Sequence, residues 1–214
     1  MGIYVFLHDS YADWELGYIL PELVQHERKP VTFGLRKTPV GSLGGLTVTP
    51  TLSLDEIDVA SVQALILPGG LSWKDFESTA LDELVRQLNA RRVPVAGICA
   101  ATGYLARLGL LDSVAHTSNS VAFLKERAPG YSGAARYQNK MSVSDGGIIT
   151  AGGLGAVDFT YDLLRALNIG DTVYQETWYR AFKHGEEPRD SGKLEQATSW
   201  SNVINLETLT FEDD

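Results

Sequence analysis

Apolar residues fall along this chain in two rhythms. Short aliphatic runs at residues 3–7, 31–35, 64–67, 93–98 and 147–150 have the length and β-branched content of buried strands. Between them, apolar positions recur every three or four residues over 14–25, 80–91, 100–108, 121–127 and 157–167, the period of a helix with one buried face. Thr172 and Gln175 form a capping-box pattern ahead of another helix over 173–182. Strands and helices alternate, and parallel neighbours need crossovers, so the pattern predicts an α/β fold: a mainly parallel sheet with helices on both faces.

The pattern stops near residue 184. Residues 1–184 read as one domain, and residues 185–214 as a polar, acidic C-terminal extension with scattered apolar positions such as Trp200, Ile204 and Phe211. A chain of 214 residues, 44% hydrophobic, is large enough to bury one substantial core. No apolar run reaches membrane-spanning length, so no membrane partner is expected. A formal charge of −9 and a pI near 4.9 argue against a nucleic-acid partner, because phosphate backbones are bound by clustered Lys and Arg. A lone cysteine and the lack of a secretory leader pattern point to the reducing cytoplasm.

That cysteine, Cys99, stands where a strand run ends and a helix pattern begins. Such a turn lifts a side chain above the sheet edge, and the helix N-terminus offers N–H groups and a positive dipole end that favour a thiolate and a developing oxyanion. In an open parallel sheet, ligands bind beyond the carboxyl ends of the strands. That rule gathers His8, Asp9, Asp13 and Glu15 after the first strand, Gly69, Gly70 and Trp73 after the third, then Cys99, and His116, Thr117, Ser118, Asn119, Gly152 and Gly153 from later loops. Glu15 opposite a thiol in a low-dielectric cleft would keep its proton, since two adjacent anions repel. Gly69 and Gly70 permit close backbone approach, with an amide aimed at an oxyanion beside that of Ala100. Trp73 and Thr117, with Gly69, are expected to line the pocket, and His116 is the candidate general base. Four dispersed histidines and one cysteine make no metal-ligand spacing, and neither a metal nor another cofactor is expected.

Taken in order, Ile3-Tyr-Val-Phe-Leu7 with Asp13-Trp-Glu15, Ala64-Leu-Ile-Leu-Pro-Gly-Gly70, Val95-Ala-Gly-Ile-Cys-Ala100 and Ile148-Ile-Thr-Ala-Gly-Gly153 resemble the ThiJ/PfpI family of the class I glutamine amidotransferase-like superfamily. The resemblance implies a flavodoxin-like sandwich with a nucleophile elbow and a homodimer. It also implies that the Cys99 thiolate is hydrogen-bonded by a protonated Glu15, with Gly70 and Ala100 as oxyanion donors. Two departures matter. Peptidase and amidase members carry histidine directly after the cysteine, where this chain has Ala100, and no His-x-Glu pair of the glutamine amidotransferase kind follows Gly152.

The expected function is a cysteine-dependent enzyme of hydrolase, amidase, glyoxalase or hydratase-like chemistry, in which Cys99 attacks a small electrophilic substrate with help from Glu15. The alternative is a redox or stress sensor whose Cys99 is oxidised without turnover. A catalytically idle dimeric binding module is a third class. A histidine within reach of the sulfur would favour turnover.

Overall fold

The computed structural model describes residues 1–186; the expected extension, beyond its first two residues, lies outside them. The sheet is built from β1 (Gly2–Phe6), β2 (Val31–Gly34), β5 (Leu52–Ser53), β6 (Val62–Leu67), β7 (Val95–Ile98), β8 (Ser142–Asp145) and β9 (Ile148–Ala151), in the order β5-β2-β1-β6-β7-β9-β8. All neighbours pair parallel except β8 with β9. β3 (Val40–Gly41) and β4 (Thr47–Val48) form a separate antiparallel hairpin. The mainly parallel α/β sheet is the one the alternation implied, and its arrangement is the flavodoxin-like one that the resemblance implied.

The two-residue period of a strand divides the buried runs between two cores. From β1, Tyr4 and Phe6 enter one core, with Leu81, Val85 and Leu88 of α2 (Thr79–Ala90), Tyr104 and Leu105 of α3 (Ala100–Arg107) and Leu124 of α4 (Val121–Arg127). Ile3 and Val5 enter the other, with Ile19 and Leu23 of α1 (Ile19–Gln25), Phe159 and Leu163 of α5 (Ala156–Ala166) and Trp178 of α6 (Thr172–His184). Ile66, Ile98 and Ile149 extend the second core across the sheet. The central strands are therefore apolar on both sides, as a doubly covered parallel sheet requires. Among the described residues, no helix is long and apolar enough to cross a membrane.

Element boundaries fall within about two residues of the periodic pattern, with three instructive differences. The helix expected over 14–25 is split: Asp13–Glu15 forms a single 3-10 turn, and α1 starts only at Ile19. Pro21 explains the break, because a helix running through it would need its missing N–H to reach Gly17, whereas in the first turn of α1 that donor is not needed. At α6 the cap is Asp171, which accepts the Tyr174 N–H at 2.8 Å, rather than the Thr172/Gln175 box. Gln175 instead turns inward and donates to the carbonyls of Leu164, Ile169 and Gly170, closing the α5–α6 connection. The edge strand β8 was not expected at all; its outer residues are polar and exposed, so it carries no apolar run.

A buried carboxylate joins α1 to α6. Glu22 accepts the Trp178 indole N–H at 2.7 Å and the Tyr174 hydroxyl, which offsets the cost of taking it out of water.

Candidate active site

Cys99 occupies the turn between β7 and α3 with φ 56° and ψ −120°, a conformation that costs a side-chain-bearing residue free energy. Both of its backbone groups are tied down. Its N–H donates to Ala151 of β9 at 2.9 Å, and its carbonyl accepts the N–H and hydroxyl of Thr102 at 3.1 and 2.5 Å. The neighbouring strands and the first turn of α3 thus hold the strained elbow, and the side chain is left partly exposed at the sheet edge.

Glu15 reaches the same point from the loop after β1. That loop is sewn to the loop after β6 in both directions: the Ala12 N–H donates to the Gly69 carbonyl at 3.0 Å, and the Gly69 N–H donates to Glu15 Oε2 at 2.6 Å. A methyl group at Gly69 would stand 2.7 Å from both the Cys99 Cβ and Glu15 Oε2. One at Gly153 would stand 3.0 Å from the Cys99 sulfur and 3.5 Å from Glu15 Oε1. The thiol and the carboxyl therefore face each other in a slot whose two walls are glycines because nothing larger fits.

Glu15 is fully buried, and among the described residues its Oε1 makes no hydrogen bond of good geometry. Burial pushes its pKa from 4.5 up to about 7, against the opposing pull of the Gly69 amide and the thiol. Burial together with the Glu15 charge pushes the Cys99 thiol from 9.0 up to about 11, although the Asn119 amide and the Ala100 N–H pull it down. The expected depression of the thiol by the helix end is thus outweighed. The pair titrates as a unit, losing one proton near neutrality and the second only in strong alkali.

The other residues expected at the rim divide. Gly70 follows Gly69 at φ 149°, and a Cβ there would stand 2.4 Å from the Ser10 carbonyl and 2.7 Å from His8, so it packs against the loop after β1; Ala100 begins α3 with its N–H directed to the sulfur. Thr117 is fully buried, donating its N–H to Thr150 Oγ1 and its hydroxyl to the Lys140 carbonyl, and is not part of the pocket wall. Trp73 is also buried, donating to the Pro68 carbonyl at 2.8 Å and packed 4.7 Å from the Tyr104 ring. Both apolar and amphipathic side chains on this rim were captured by the core beneath it.

His116 is corrected as well. Its Nδ1 lies 2.8 Å from the Val114 carbonyl and its Nε2 2.6 Å from the Tyr131 hydroxyl, with the ring buried between Tyr131 and Tyr137. Neither nitrogen is free for the sulfur. The residue that reaches Cys99 from this loop is Asn119, whose Nδ2 donates to the sulfur at 3.4 Å and whose Oδ1 accepts the Gly153 N–H at 2.9 Å. His8 is held by Ser72, Asp9 and Pro68, and burial lowers its pKa. Asp13 binds the Ser42 hydroxyl and the Gly44 N–H of the β3–β4 hairpin.

Asn119 and Gly153 also line an open depression of about 680 Å³ beside the slot. Its far wall carries Tyr161 and Tyr179, with Asp158 and Asp162 of α5. Asp158 is engaged by the Tyr179 hydroxyl and by Lys183, and Ser142 donates to one oxygen of Asp162 at 2.7 Å.

Fold and slot define an α/β protein that presents a cysteine on a strand–helix elbow against a buried carboxyl. The chain belongs to the DJ-1/PfpI family, which it matches over residues 1–166. It is 33% identical over 190 residues to a Bacillus subtilis (strain 168) protein named as an uncharacterized protease, YoaZ, covering 85% of this chain and 90% of that one. Among solved structures, the DJ-1 superfamily protein Atu0886 from Agrobacterium tumefaciens superposes with a TM-score of 0.78 at 36% identity, over 86% of this chain and all of that one (100%). A thiJ/pfpI family protein from Bacillus anthracis does so with a TM-score of 0.80 at 31% identity, over 86% and 91%.

Proposed function

We propose that this protein is a cysteine-dependent enzyme acting on a small electrophilic carbonyl compound, with Glu15 as the proton carrier. The observation that supports this reading most is Oε1 of the buried Glu15, which lies beside the Cys99 thiol and has no hydrogen-bond partner among the described residues. With a pKa near 7, this carboxylate is a competent base at neutral pH. As the sulfur attacks, the S–H proton passes to Oε1, the S–C bond forms, and the carbonyl oxygen takes up the electron pair beside the Gly70 and Ala100 amides. Collapse of the adduct expels the leaving group, which takes the proton from Glu15, and leaves Cys99 acylated; water then attacks that thioester, giving a proton to Glu15, and the S–C bond breaks as the sulfur recovers the proton and a carboxylic acid departs. No histidine takes part.

The substrate's remaining atoms would occupy the depression beyond Asn119 and Gly153, where carboxylate and tyrosine hydroxyls suit a compound with hydroxyl or amino groups. A homodimer and a cytoplasmic setting belong to the same reading. Exposed Trp14, Leu43, Leu46 and Leu71 lie on the hydrogen-bonded loops around the slot, where a second copy would cover them.

The test is turnover of a panel of small aldehydes, dicarbonyls, amides and esters by wild type, Cys99→Ser, Glu15→Gln and His116→Ala. The reading requires loss of activity in the first two variants and retention in the third. Failure of every substrate, combined with ready peroxide oxidation of Cys99, would replace it with the sensor reading. Sensor thiols depend on a lowered pKa, whereas burial raises this one.

A further inference from the structure

Asn119 sits between Ser118 and Ser120, the residue whose side chain caps α4. It is exposed at the mouth of the slot, and its two amide atoms face different partners. Their assignment follows from chemistry. The Gly153 N–H is a donor and must meet the amide oxygen, so the amino group is left for the sulfur. A flipped amide would set two donors against each other at Gly153 and turn the amide oxygen towards the sulfur, where it would oppose the thiolate. The Gly153 bond thus fixes the direction of the sulfur bond.

We propose that Asn119 is the positioning residue of the Cys99 thiol, aiming an N–H at the sulfur and holding the Gly153 wall against it. The proposal rests on the reading of Cys99 as the reacting atom, and it assigns to an amide the place by the sulfur where the sequence suggested a histidine. An amide cannot accept the thiol proton at neutral pH, so it does not compete with Glu15. A donated hydrogen bond strengthens as negative charge gathers on its acceptor, so it favours the sulfur as an anion more than as a thiol. Glu15 is the charged group acting on the sulfur, while Ala100 reaches it through its backbone N–H and Gly153 faces it with only a Cα.

Two substitutions separate sulfur positioning from simple support of the loop. Asn119→Asp keeps an oxygen for the Gly153 N–H but replaces the donor to sulfur with an anion. Asn119→Ala removes both bonds. The measurement is the rate of iodoacetamide alkylation against pH, with thiolate absorbance at 240 nm as a second readout. At pH 7.5, Asn119→Ala should react roughly tenfold more slowly than wild type, a shift of about one pKa unit, and Asn119→Asp more slowly still. If Asn119→Asp matches wild type while Asn119→Ala is impaired, Asn119 only anchors Gly153 and the proposal is overturned. If neither differs from wild type, the sulfur bond has no effect and the proposal again fails. Absence of turnover on every substrate would sink the proposed reaction but leave these titrations readable.

Discussion

Gly69 donates its backbone N–H to Oε2 of Glu15 at 2.6 Å, while Oε1, beside the Cys99 thiol, has no hydrogen bond of good geometry among the described residues. One donor does not replace the water the ionised group gives up, which is why the carboxyl holds its proton to about pH 7. Between its ordinary value of 4.5 and about 7, the folded protein binds this proton and the unfolded chain does not. Stability is therefore lost as pH rises through that window, by about 3 kcal/mol from this group. Urea unfolding of wild type and Glu15→Gln at pH 5 and pH 8 measures it. The difference between the two proteins should shift towards the variant at pH 8, and a difference independent of pH would remove the strain assigned to Glu15.

The same pair sets the reactivity of the sulfur. Alkylation of wild type should rise through about pH 7, as the pair loses its first proton, and again towards pH 11. Glu15→Gln has no carboxylate to accept the thiol proton and none to repel the thiolate. It should show a single rise, at lower pH than the upper step of wild type. Two steps in Glu15→Gln would assign the neutral one to another group.

Gly153→Ala tests the slot's second wall. Its methyl group would stand 3.0 Å from the sulfur, tighter than ordinary contact, and it would fill the space a substrate carbon must enter. The stability cost should stay below about 2 kcal/mol, since the site opens to solvent. Turnover and alkylation by a bulky maleimide should both fall at least tenfold. An unchanged maleimide rate would mean that reagents approach the sulfur from another side.

His116 should behave as part of the scaffold. Replacing it with Phe leaves the Val114 carbonyl and Tyr131 hydroxyl without their partners in a buried setting, at a cost of roughly 1–3 kcal/mol. Chemical denaturation gives that loss, while the pH profile of Cys99 alkylation should superimpose on wild type. A displaced profile would restore the histidine to the mechanism.

The sequence by itself was enough for the parallel α/β sheet, because buried strands and one-sided helices leave different periods in the chain. It was also enough to bring Cys99, Glu15, Gly69 and Gly70 to one edge, since residues beyond strand C-termini in such a sheet share that edge wherever they lie in the chain. What it could not decide was where each rim side chain turns. His116, Thr117 and Trp73 carry polar atoms that look functional in one dimension, yet each found partners away from the sulfur: the Tyr131 hydroxyl and the Lys140 and Pro68 carbonyls. Asn119, in a loop with no periodic signal, reached the sulfur instead. Only packing makes that choice, because a buried polar group goes where its hydrogen bonds are completed, and the completing atoms lie 5 to 34 residues away along the chain. The ionisation of Glu15 and Cys99 was undecidable for the same reason. A helix end visible in the sequence favours an anion, whereas the desolvation that outweighs it depends on how completely the folded chain excludes water.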